Sequence, residues 1–227
     1  MNSLVKKSII VTLLVVIVDQ VLKIWVKTHM YLGESSYVNW GWSFSGFQLA
    51  FTENAGMAFG LKLPGNIGKI ILTIFRIVAI VGIIFLINWL IKKIKPKTGF
   101  IICLSLILGG AIGNLVDSLF YGMIFGPSGY SANTIAEFLP ADGGYSSFLH
   151  GKVVDMLYFP IIDTTLPEWV PFKGGEHFVF FSPIFNFADS CVTVSVFVLI
   201  LFHKRLIPQL EEYEKEQEKK KKAKQNK

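Results

Sequence analysis

The chain has 227 residues, 52% of them hydrophobic and only 17% charged, and its mean hydropathy is +0.52. Soluble globular domains carry about 25% charged residues, so this composition excludes an ordinary water-soluble fold and points to lipid as the solvent. Much of the net charge of +6 lies in the C-terminal stretch Lys215–Lys227, which also holds Glu216 and Glu218, and no basic and aromatic surface accompanies it, which argues against nucleic-acid binding.

Taken in chain order, the first apolar run covers about 8–26. Lys6 and Lys7 precede it as they would in a secretory signal peptide. The run continues through Asp19 and Lys23 with no small-residue cleavage site, so it is read as a retained helix. The connection over about 28–66 alternates aromatic and other residues: Tyr37, Trp40, Trp42, Phe44, Phe47, Leu49, Phe51. Such a stretch predicts a small sheet lying at the outer membrane interface. Further apolar runs cover about 67–91, 99–121 and 184–206, each near the roughly 20 residues a spanning helix needs. Four spans in one compact bundle are expected over 1–206, followed by a charged cytoplasmic tail at 207–227.

Orientation follows from the lysines. Lys92, Lys93, Lys95 and Lys97 join the second and third runs, Lys6 and Lys7 lie at the N-terminus, and Lys204 and Arg205 end the fourth run. The positive-inside rule puts these in the cytoplasm. The two other connections, 28–66 and 122–183, then face outward. Cys103 and Cys191 both sit in apolar stretches and are read as small buried hydrophobes rather than a disulfide or a metal pair. No cofactor is expected.

Ionisable groups in membrane helices are costly, so each needs a reason. Asp19 and Lys23 are four apart on one helix face, which suits a mutually neutralising pair that fixes packing. Asn114 and Asp117 are three apart, after Gly109, Gly110 and Gly113, and small residues let helices approach closely. Asp155 and Asp189 each stand in an apolar neighbourhood. Burial raises a carboxyl pKa, and two such carboxyls that meet can divide the roles of base and acid, as in aspartic proteases. From spacing alone, two unrelated interface carboxylates are an equal alternative. Depth favours a site: Asn54, Asn114, Asp117, Asp155 and Asp189 all map to the outward half of the membrane. No H-E-x-x-H, nucleophile elbow or phosphate-binding glycine loop occurs. A Ser–Lys dyad from Ser128 and Lys152 is a minor alternative.

Five blocks in order resemble the bacterial lipoprotein signal peptidases, or signal peptidase II family. They are Asp19-Gln20-Val21-Leu22-Lys23, then Asn54-Ala55-Gly56-Met57-Ala58-Phe59-Gly60, then Gly109 through Asp117, then Gly151-Lys152-Val153-Val154-Asp155, and Phe185-Asn186-Phe187-Ala188-Asp189-Ser190. The resemblance implies a four-transmembrane-helix bundle with a small extracytoplasmic β-sheet and a short interfacial helix. It implies an intramembrane aspartic endopeptidase of the bacterial inner membrane, which cuts prolipoproteins just before a cysteine bearing diacylglycerol. The family's catalytic pair maps onto Asp155 and Asp189. Asp19, Lys23, Asn54, Gly56, Asn114, Asp117 and Asn186 map onto supporting or substrate-binding positions. The implied partners are a lipidated prolipoprotein, membrane lipid and inhibitors of the globomycin type, with the chain itself a monomer. Two features depart from the family pattern: Ser118 stands where an Arg is usual, and about 121–150 is a long insertion, expected as an outward loop near the site that gates access, binds a partner or is inert. Two other classes are weighed against the peptidase: a small transporter using Asp19, Lys23 and Asp117 as a relay, and a non-catalytic lipoprotein-binding scaffold.

Overall fold

The computed structural model describes residues 2–37, 47–55, 57–58, 61–62 and 65–206, with 213, 215, 216, 218 and 219 in the tail. Trp40, Trp42, Phe44, Gly56, Phe59 and Gly60, named above, lie outside the described residues.

Among the described residues, three helical stretches are long and apolar enough to cross a membrane: Ser3–His29, Gly68–Ile94 and Thr98–Ile124. A further helix is apolar over the shorter run Phe187–Phe202. In detail, α1 is Ser3–His29 and α2 is Gly65–Trp89, extended by a π turn over Leu90–Ile94. Helix α3 is Thr98–Val116, a second π turn covers Asp117–Tyr121, α4 is the single turn Gly122–Ile124, and α5 is Phe187–Leu206. Large apolar side chains stay open on these helices, among them Phe75 at 67%, Phe85 at 71% and Leu201 at 71% exposure. A soluble helix hides such a stripe against a core; here acyl chains can cover it.

The chain divides into two compact units: Met1–Gln20 with Ile71–Val116 and Ala188–Lys227, and Val21–Ile70 with Asp117–Phe187. In the first unit the buried core gathers α2 and α3 residues such as Ile80, Ile87, Ile91, Ile101, Leu104 and Leu108. Glycines on α3 bring two other helices to backbone distance. A Cβ on Gly109 would stand 2.7 Å from the Val15 Cβ, and one on Gly110 would stand 2.5 Å from the Ala188 carbonyl oxygen.

The second unit is built on a sheet. Its strands are β1 (Ser35–Tyr37), β2 (Gln48–Asn54), β5 (Val153–Tyr158) and β8 (Ile184–Phe185), in the order β1-β2-β5-β8. All three pairings are antiparallel. Short hairpins are formed by β3 (Met57–Ala58) with β4 (Leu61–Lys62) and by β6 (Ile162–Thr165) with β7 (His177–Phe180). The expected small sheet is therefore present, and it recruits β5, which the alternation of the first connection did not reveal. Strand β5 is buried on both faces from Val153 to Met156, so it carries no period-two polarity. The run expected to begin a span at 184 instead spends Ile184 and Phe185 on β8, pairing with Tyr158 and Leu157.

The insertion folds back on its own unit. Tyr121 and Phe125 are buried and in ring contact, and Phe125 also packs on Phe138. Backbone amides of Gly126, Leu139, Tyr145 and Ser146 donate to Glu137, Ile124, Phe125 and Gly122 respectively. The Gly129 carbonyl accepts from Leu32, just beyond α1.

Candidate active site

In the second unit, Asp155 lies on β5 directly opposite Thr52 of β2. One extra β2 residue is inserted between the Leu49–Leu157 and Thr52–Asp155 pairs. Such a bulge re-aims side chains: it lets Thr52 share a face with Asp155 and Leu157. Asp155 is 6% exposed, and its Oδ1 accepts a 2.7 Å hydrogen bond from the Asn186 amide, itself fully buried. Behind β5, the Val154 amide donates to Asp117 Oδ2 at 3.2 Å. The same oxygen pairs with the Lys23 ammonium at 2.9 Å, both side chains fully buried. Lys23 and Asp117 thus clamp the backbone next to Asp155. The approach is close enough that a Cβ on Gly151 would fall 1.9 Å from the Asp117 carbonyl oxygen, so only glycine fits there. Ser118, at the family's usual Arg position, is buried, and its carbonyl accepts from the Gly151 amide.

In the first unit, Asp189 lies in the first turn of α5, where the helix dipole favours a carboxylate. Its Oδ1 accepts from the Asn114 amide at 2.8 Å. The Asn114 carbonyl in turn accepts from Arg76. Asp19 serves α5 as a foreign cap: its Oδ1 accepts from the Ala188 amide at 3.0 Å, one of the end donors a helix cannot satisfy itself. Its other oxygen accepts from Gln20 at 3.2 Å. A Cβ on Gly113 would meet that oxygen at 2.5 Å, so this glycine makes room for the carboxylate. Asn54 closes β2 opposite Val153. Among the described residues, no three His, Cys, Asp or Glu gather as a metal set.

A second charged cluster escaped the sequence reading. Glu53 receives the ammonium groups of Lys27, through Oε1, and of Lys152, through Oε2 at 2.7 Å. Ser128 donates to Glu53 at 3.0 Å and accepts from Lys27 at 2.9 Å. Ser128 and Lys152 therefore converge on one carboxylate. Lys27 also lies over the Tyr145 ring at 4.9 Å and the Phe125 ring at 5.4 Å. The Tyr145 oxygen accepts from the Lys152 amide, and burial pushes its hydroxyl well above the usual phenol range. Burial works to raise the Glu53 carboxyl too, but the Lys27 charge and the hydrogen bonds from Lys152 and Lys27 outweigh it and hold it below its ordinary value. One signal was available: Lys27 continues the four-residue spacing of Asp19 and Lys23 on a single helix face.

Apolar helices with buried carboxylates and carboxamides define a polytopic membrane enzyme, and two solved structures share the fold. One is a bacterial membrane enzyme determined by the in meso method at 1.9 Å resolution, 25% identical, with a TM-score of 0.51 over 86% of this chain and 91% of the other. A second, at 2.3 Å, is 23% identical with a TM-score of 0.51, covering 88% of this chain and 90% of that one. The lipoprotein signal peptidase of Porphyromonas gingivalis is 50% identical over 194 residues, 86% of this chain and 81% of the relative. That of Amoebophilus asiaticus is 37% identical over 209 residues, 90% of this chain and 80% of the relative. The model of the signal peptidase II family matches residues 11–204. The chain belongs to the signal peptidase II family. It is an aspartic-class membrane peptidase that removes signal peptides from prolipoproteins, and the transporter reading falls away.

Proposed function

We propose that Asp155 and Asp189 are the catalytic pair, and that they cleave diacylglyceryl-modified prolipoproteins just before the lipidated cysteine. The observation that carries this reading is a matched support: each aspartate accepts a short hydrogen bond from a carboxamide, Asn186 for Asp155 and Asn114 for Asp189. Asp19, Lys23 and Asp117 act one step removed. Asp19 holds the first turn that bears Asp189, and Lys23 with Asp117 holds the strand that bears Asp155. Asn54 and Gly56 are assigned to substrate positioning, on the family resemblance alone.

The chemistry follows from two carboxyls in different protonation states. The ionised one takes a proton from water, and the water oxygen attacks the scissile carbonyl carbon. The neutral one gives its proton to the carbonyl oxygen. Collapse of the tetrahedral intermediate breaks the C–N bond. The cysteine amine leaves with a proton, and the signal peptide ends in a carboxylate.

The setting completes the reading: an inner-membrane protein with four spans, α5 being the fourth, a small outward sheet and a short interfacial helix. Residues 1–206 are the peptidase domain and 207–227 a cytoplasmic tail. Both termini are cytoplasmic, and the site faces the outer leaflet, where the substrate's lipid chains reside. Those chains move from bilayer to a lipid-like surface, so recognition gains far less than the roughly 0.8 kcal/mol per CH₂ of transfer from water. A globomycin-type inhibitor would compete at the pair, and a single chain suffices.

The test is cleavage of a diacylglyceryl prolipoprotein by purified protein, wild type beside Asp155→Asn and Asp189→Asn. Each variant is expected to lose at least about 10³-fold in kcat, on the scale of removing one member of a catalytic set, with folding intact. Near-normal activity in either variant would sink the assignment of the pair. A scaffold would show no cleavage in any of the three.

A further inference from the structure

A cleft of about 470 Å³ opens on the sheet of the second unit, lined among others by Gln48, Thr52 and Glu53 of β2, Tyr158 of β5, Lys152 and Tyr130. Thr52 is the direct strand partner of Asp155, so one wall of the cleft begins a single strand spacing, about 5 Å, from that residue. Lys152 precedes Asp155 by three positions, about 10 Å along extended chain.

Among the described residues, the cleft has one cation and one carboxylate in its lining, Lys152 and Glu53. Glu53 is shared by Lys27 and Lys152. Lys69 donates to the His150 carbonyl and lies near enough to feel the charges of Lys152 and Glu53. Glu53 thus answers two ammonium groups directly. The Lys27 side chain is sealed at 0% exposure, whereas that of Lys152 is 34% exposed. Lys152 is the cation of the ion pair open to a ligand, held in place by Glu53 and by the Tyr145 ring 5.3 Å away.

Resting on the peptidase reading above, we propose that this cleft is a specificity subsite for an acidic side chain on the mature side of the substrate's scissile bond, with Lys152 as the binding cation. The signal side is the apolar segment, where a charge is costly; the mature side runs toward water and tolerates one. An extended chain advances about 3.3 Å per residue. The carboxylate that reaches Lys152 therefore belongs to about the second to fourth residue after the lipidated cysteine.

The experiment compares diacylglyceryl peptides carrying Asp-Asp-Asp or Asn-Asn-Asn at those three positions, cleaved by the full-length enzyme in neutral detergent. The acidic peptide is expected to have a kcat/KM at least about 5-fold higher, the scale of one partly exposed charge-assisted hydrogen bond, and the ratio should shrink as salt rises. Lys152→Gln should bring the ratio to one, whatever its absolute rate, while Lys173→Gln in the exposed 166–176 loop should leave it unchanged. Equal rates in the wild type overturn the subsite and leave the peptidase reading standing. So does a ratio unaltered by Lys152→Gln. Phosphatidylglycerol that speeds both peptides equally would assign the cleft to a lipid phosphate instead. Cleavage of neither peptide overturns the peptidase reading and the subsite with it.

Discussion

At the scale of single residues, Glu53 shows how strongly this protein relies on buried charge. Its side chain is 3% exposed and answers two lysines, one of them fully enclosed. Removing one partner of a buried ion pair leaves an uncompensated charge and costs about 3–5 kcal/mol. Glu53→Gln is therefore expected to unfold well below the wild type in thermal scans at neutral pH. The pH dependence has a definite sign. Because the folded Glu53 carboxyl lies below its ordinary value, the stability it confers is fully present above the unfolded carboxylate value of about 4.3. That stability is lost as pH falls through the lower folded value. Scans from pH 3 to 8 should show the difference between wild type and Glu53→Gln closing at the acid end. A difference that stays constant, or grows, in acid would contradict the charge assignment.

At the scale of elements, helix packing on α3 turns on side chains that are missing. A methyl group on Gly110 would strike the Ala188 carbonyl at 2.5 Å, and backbone has nowhere to go. Gly110→Ala is expected to cost about 1–3 kcal/mol, the usual range for overpacking. Gly82→Ala on α2, with nothing within 4 Å of the added atom, should be neutral or gain up to about 1 kcal/mol in helix propensity. Unfolding in the same detergent checks both, and an equal cost at the two positions would rule out the close-approach account. The glycines before Asn114 were legible in sequence as a packing signal, and so were the long apolar helices. What pattern reading missed were elements decided by tertiary pairing. Strand β5 hides both faces, so its residues show no alternation. Ile184 and Phe185 read as helix because they are apolar, yet their backbone finds β5 first. The partners of Asp155 and Asp189 were visible in the sequence as polar residues, but which carboxamide meets which carboxylate depends on contacts 31 and 75 residues apart. The Lys27–Glu53–Lys152 cluster lay hidden for the same reason, its members joined across 26 and 99 residues.

At the scale of the whole molecule, the proposed chemistry requires one orientation. The exposed Lys92, Lys93, Lys95 and Lys97 surround a tight connection, with Lys95 in a left-handed turn that closes the end of α2. Positive charge in so short a loop is retained on the cytoplasmic side. The connection from the end of α3 to α5 carries Asp155 and the exposed Lys173, and the proposed orientation puts it outside. Single cysteines at Lys97 and Lys173, in a Cys103→Ala, Cys191→Ala background, separate the two sides in intact cells. An impermeant maleimide is expected to label Lys173→Cys directly and Lys97→Cys only after permeabilisation. The reverse pattern would point the sheet and its cleft at the cytoplasm. Asp155 could then not meet a scissile bond held near the outer surface by lipid chains in the outer leaflet, because moving those headgroup-bearing chains or this charged sheet across the hydrocarbon layer would bury polar groups without partners.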